Sequence, residues 1–136
     1  MSVSLLVLVG LAATGPVSAA SPTLGAARVE HVLRATGLDV LPDRGLLPVG
    51  AVVEYSFVRQ GRPVASASVL VYVDADHARR AAIADRSNRA VDAAFCFECR
   101  TARVQNVLLA YRPETSRAVR RLLVAALSRL GRPVTP

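Results

Sequence analysis

Apolar residues recur along this chain with two distinct periods, and each predicts an element. Leu24, Val29, Val32, Leu33 and Thr36 follow helical spacing, so residues 24–36 read as a helix. Thr23 is its candidate N-cap, and Gly37 stands just beyond its end, followed by Leu38. Glu30 and Arg34 lie four apart on the outer face. Residues 39–50 hold two prolines and two glycines and read as a loop. From Ala51 to Arg59 the pattern alternates, with Val53, Tyr55 and Phe57 on one face and Glu54 and Ser56 on the other. Gln60-Gly61-Arg62-Pro63 is turn chemistry, and Val64 to Val73 is a second strand, so the two strands form a hairpin. Ala65, Ala67, Val69, Val71 and Val73 share one face of that second strand; Ser66 and Ser68 point away.

Asp74 ends the strand and is a suitable N-cap for an Ala-rich helix over residues 75–92. Asp76/Arg80 and Asp85/Arg89 are spaced as helical ion pairs, and Ala78, Ala81, Ala82 and Val91 make a thin apolar stripe. Thr101 to Tyr111 reads as one strand or as a short hairpin turning at Gln105-Asn106, where Asn106 would tolerate a positive φ. Residues 115–130 form the clearest helix. Val119, Leu122, Leu123, Ala126, Leu127 and Leu130 are its stripe, and Gly131 and Pro133 stop it. The expected fold is α+β: a small antiparallel sheet of three or four strands with helices on one face, in the order α-β-β-α-β(β)-α.

The stretch before these elements has a different character. Val3 to Ala13 is a short apolar run, broken by Thr14-Gly15-Pro16, and Val17-Ser18-Ala19-Ala20 follows with small residues. This is the pattern of a secretory signal cleaved after Ala19 or Ala20, although Met1-Ser2 supplies no basic side chain. The run is short for a membrane span. Residues 1–20 are therefore expected to be a signal peptide and residues 21–136 one exported domain, in the periplasm, in the cell envelope or secreted. No Cys precedes Cys96, so a lipid-anchored cysteine is not indicated.

At 136 residues and 52% hydrophobic, the chain fits one domain and is too apolar for a disordered protein. All 17 basic residues are Arg, a chain-wide bias that GC-rich codon usage explains. The charge is uneven. Ser21 to Asp76 holds five Arg against six acids; His77 to Pro136 holds twelve Arg against four. The C-terminal half is thus a candidate cationic surface. Arg112, Arg117, Arg120 and Arg121 are the anion-binding candidates. Anionic envelope polymers, lipid headgroups or an acidic protein are the partners to expect. With three Tyr, three Phe and no Trp, there is little stacking surface for nucleic acid.

Other chemistry is sparse. Cys96 and Cys99, the only cysteines, read first as a structural disulfide in an exported chain. The alternative is an extracytoplasmic thiol–disulfide protein using the same pair; Glu98 opposes a thiolate there and Arg100 favours one. Together with His31 and His77 the cysteines have no ligand spacing for zinc, so no metal is expected. Asp74-Ala75-Asp76-His77 reads as helix-start chemistry, with His77 a surface residue of the first turn. No nucleophile elbow, phosphate loop or metalloprotease motif occurs, and neither an enzyme nor a cofactor is implied.

The order of elements resembles that of a group of small exported bacterial proteins of uncharacterised function. The phrases carrying the resemblance are Leu33-Arg34-Ala35-Thr36-Gly37-Leu38 and Asn106-Val107-Leu108-Leu109-Ala110-Tyr111, with the Asp-opened helix between them and the amphipathic helix at the end. It covers most of residues 24–131 and implies the same fold, without assigning catalytic residues. The expected function is an exported, non-enzymatic binding or structural domain using its Arg-rich half. Dimerisation through a strand edge is a third reading.

Overall fold

A computed structural model describes residues 23–87 and 99–135. The fold is α+β. Its elements are α1 (Ala26–Arg34), β1 (Asp39–Asp43), β2 (Ala51–Arg59), β3 (Arg62–Tyr72), α2 (Ala75–Ser87), β4 (Arg100–Val104), β5 (Val107–Tyr111) and α3 (Arg117–Leu130). All five strands join one antiparallel sheet in the order β1-β2-β3-β5-β4. The expected signal segment, residues 1–20, lies outside the described residues. Among the described residues, no helix is long and apolar enough to cross a membrane.

Two expectations about the sheet need correction. The segment 39–50 is not all loop: residues 39–43 form β1 against β2. Val40 alone is buried there, and Pro42 sits inside the strand. Because β1 is an edge strand, Pro42 needs no second hydrogen-bonding neighbour. The helices also occupy both faces rather than one. Val53, Tyr55, Phe57, Val69, Val71, Val107 and Leu109 face α1 and α3 in the larger core. Leu70, Tyr72 and Leu108, the alternate residues, pack under Ala78, Ala81 and Ala82 of α2. The small side chains of α2 allow close approach to the sheet, so this second cluster buries little area per residue.

The hairpins fix the register. Gln60 and Gly61 both have positive φ (52° and 72°), the conformation of a two-residue turn matched to strand twist. Residues 100–111 resolve into a hairpin, the second of the two sequence readings, with Val104 opposite Val107. The residue at positive φ is Gln105 (51°) and not Asn106. Asn106 is instead 1% exposed and acts through its side chain. Its Oδ1 accepts from Leu24 N at 2.7 Å, and its Nδ2 donates to Leu24 O at 3.0 Å and Tyr72 O at 2.8 Å. One amide thus ties the entry to α1, the β4–β5 turn and the end of β3 together.

The helix ends differ in detail from the sequence reading. α1 starts with Gly25, not Thr23, as its N-cap, and no side chain caps it. Gly37 adopts φ +82° as expected for a helix end, and Leu38 is buried. Glu30 and Arg34 pair at 2.7 Å. Asp76 pairs with Arg79 at 3.1 Å rather than with Arg80, whose Nε reaches the Asp76 carbonyl. The expected Asp85/Arg89 pair and Val91 are not covered by the described side chains. Gly131 ends α3 through close approach: a Cβ there would stand 2.8 Å from Val104 Cγ1. Beyond it, Val134 exchanges two backbone hydrogen bonds with Arg103 and covers part of the β4 edge.

β3 bulges where the β2–β3 register slips between Tyr55 and Phe57. The single inward face expected for Ala65 to Val73 is therefore broken: Ala67, Val69 and Val71 are buried, whereas Ala65 and Val73 are exposed. A bulge re-aims side chains locally. Here it leaves the Ser66 carbonyl to Arg112 N at 2.8 Å and Thr115 Oγ1 at 3.1 Å, while Thr115 Oγ1 also meets Ser66 Oγ at 2.8 Å.

Candidate anion-binding face

α3 positions the strongest candidate. Its start is set by Ser116, whose hydroxyl accepts from Val119 N at 3.2 Å. Val119, Leu123, Ala126, Leu127 and Leu130 are buried against the sheet, so the helix has one permitted rotation. That rotation leaves Arg117 and Arg121 exposed and Arg120 half-buried. The three share one shallow groove of about 500 Å³ with Tyr111, Val124 and Ser128. Tyr111, the last residue of β5, is not among the anion-binding candidates of the sequence; its place opposite Ala67 at the sheet end brings it there.

The groove is cationic without internal compensation. Among the described residues, the ion pairs are Arg34–Glu30, Arg79–Asp76, His77–Asp74 and Arg112–Glu114. None involves Arg117, Arg120 or Arg121. The first turn of α3 contains no acid, so its positive end adds to their field. Arg120 Nε is buried without a hydrogen-bond partner. An unpaired buried donor of this kind costs about 1–3 kcal/mol.

Arg112, expected to extend this face, lies elsewhere. It follows β5 on the side of the Ser66 bulge and lines a separate cleft with Arg59 and Arg62. The reason is the Arg112 N to Ser66 O hydrogen bond, which continues the β3–β5 ladder by one residue and turns the chain away before α3 begins.

The remaining candidates are structural in their surroundings. Asp74 caps α2 through His77 N at 2.8 Å, and the same Oδ1 meets His77 Nδ1 at 2.8 Å. Those two hydrogen bonds hold the Asp74 carboxyl below its ordinary range. His77 is not a plain surface residue: it is half-buried against Gly50, where a Cβ would collide with its ring. His31 is exposed on α1. Cys99 is buried just before β4 and is not a free thiol. Cys96 lies outside the described residues. Among those described, no three His, Cys, Asp or Glu side chains gather as a metal site would require.

On the α2 side of the sheet, Glu54, Ser56, Ser66 and Ser68 line a small polar hollow with Arg112. Burial pushes the Glu54 carboxyl above its ordinary value of 4.5; a hydrogen bond from Ser68 opposes this and the Asp43 charge adds to it. Tyr55 is fully buried across the sheet, its hydroxyl donating to Ala26 O at 3.1 Å. Its pKa is raised, by desolvation first and then by the Glu30 charge.

No family model, curated protein or solved structure matches this chain.

Proposed function

We propose that residues 21–136 are an exported binding domain that docks on anionic lipid headgroups through the exposed side of α3. The observation carrying this reading is the set of three guanidiniums, Arg117, Arg120 and Arg121, that share one groove without a carboxylate partner among the described residues. Lipid is favoured over an acidic protein or polymer by what lies between the charges. Val124 is 36% exposed and Tyr111 is half-buried, an apolar and aromatic strip suited to the headgroup layer. Each arginine near an anionic membrane contributes about 1 kcal/mol. Three give moderate, salt-sensitive, reversible docking rather than insertion.

The Cys96–Cys99 disulfide belongs to the same proposal as a local staple. It closes a very short loop and fixes the entry to β4 rather than supplying redox chemistry.

Sedimentation with vesicles of phosphatidylglycerol and phosphatidylcholine tests the reading. The domain binds the anionic vesicles, loses binding as salt rises, and loses it in the R117Q/R120Q/R121Q variant. Equal binding of that variant and the native chain overturns it. So does selective, salt-sensitive binding to an anionic polymer with none to lipid.

A further inference from the structure

The cleft that captures Arg112 is a second, separately built cationic site. Arg59 and Arg62 are cross-strand partners on either side of the Gln60-Gly61 turn. Arg112 approaches from β5, held by Ser66 O. All three side chains are exposed and line one cleft of about 540 Å³, with Ser66 and Ser116 contributing hydroxyls. Among the described residues the cleft holds one acid, Glu114, which stands 3.9 Å from Arg112 Nη1. At that separation it is a long, solvent-screened pair and leaves the guanidinium fork free to bind. Ser116, at the wall of this cleft, is also the N-cap of α3, so the positive end of a 14-residue helix begins beside the three guanidiniums.

We propose that this cleft binds one phosphate monoester group. Three guanidiniums against one carboxylate match a compact dianion better than a monoanionic diester. The planar fork of each arginine pairs two oxygens at once. The cleft is larger than a phosphate, so the ester's organic part has room on the apolar side formed by Pro63, Val64 and Val119. The site is independent of the α3 lipid face: it uses none of the Arg117, Arg120 or Arg121 side chains, and it stands or falls without that reading.

The test is an NMR titration of the full domain with inorganic phosphate, against chloride at matched ionic strength. Phosphate shifts the amides of Ser66, Ser116, Arg117 and Ala118 saturably, and chloride does not. The R59Q/R62Q/R112Q variant weakens binding by about tenfold or more, as expected for loss of charge-assisted hydrogen bonds. E114Q, which removes the competing carboxylate, tightens it. R117Q/R120Q/R121Q leaves the affinity within about threefold, since its charges act only at a distance. Equal shifts with chloride, shifts spread evenly over all arginines, or insensitivity to R59Q/R62Q/R112Q in a folded variant overturn the proposal. Comparing soluble phenyl phosphate with phosphatidate vesicles then separates the two sources of the group. Vesicle binding that depends on Arg59, Arg62 and Arg112 assigns a lipid, and binding of the soluble ester alone assigns a small metabolite.

Discussion

Replacing Asn106 by Ala removes a buried clamp and tests how this small fold holds its N-terminal helix. The side chain makes three hydrogen bonds, to both polar groups of the Leu24 backbone and to Tyr72 O. Leu24 and Asn106 are 82 residues apart, so no local structure substitutes for this link. Each buried group that loses its partner costs about 1–3 kcal/mol, giving roughly 3–6 kcal/mol for N106A when water partly re-solvates the gap. Domains of this size are stable by about 5–15 kcal/mol, so the variant is close to unfolding. Urea unfolding followed by circular dichroism measures the difference. Asn106→Asp separates hydrogen bonding from volume. Its carboxylate still accepts from Leu24 N but presents charge to two carbonyl oxygens. The variant's folded carboxyl therefore titrates above its unfolded value. Its stability is greatest below about pH 4, the unfolded range, and falls as pH rises through the folded value. A cost under about 1 kcal/mol for N106A refutes the clamp. So does an N106D variant that loses stability on acidification relative to N106A.

Further predictions concern strain and pH. Gln105→Gly relieves a positive φ of 51° and removes a buried, unpartnered Oε1, so chemical denaturation should register a gain of about 1 kcal/mol. A loss of stability contradicts the turn assignment. Glu54 has a folded pKa above its ordinary 4.5, so its contribution is present below that value and is lost as pH rises through the folded one. E54Q removes this downward slope above about pH 4.5, and an unchanged stability–pH profile refutes the burial argument.

Much of the fold was legible because the larger core follows simple periodicity. Val53, Tyr55 and Phe57 alternate cleanly, and the α3 stripe from Val119 to Leu130 admits a single orientation. What escaped had local patterns dominated by something else. β1 offers one buried residue beside a proline, so only its pairing with β2 makes it a strand. The second face of the sheet escaped because β3 is apolar at consecutive positions from Val69 to Tyr72. An unbroken run of that kind does not say which side is covered. The Asn106 clamp and the Ser66 bulge depend on partners 82 and 49 residues away. At the candidate site, the exposed side of α3 followed from helical spacing alone. Tyr111 joined it, and Arg112 left it, through strand register that sequence spacing does not encode.

Docking of Arg117, Arg120 and Arg121, which have no ion-pair partner among the described residues, on an anionic lipid surface is the proposal that matters most here. Its most direct measurement is the partition coefficient of the domain onto phosphatidylglycerol-containing vesicles at low salt, native chain against R117Q/R120Q/R121Q, with both shown folded by circular dichroism. At about 1 kcal/mol per arginine, the expected loss is on the order of 100-fold, shrinking as salt screens the native contacts. A folded triple variant that partitions as well as the native chain would contradict it.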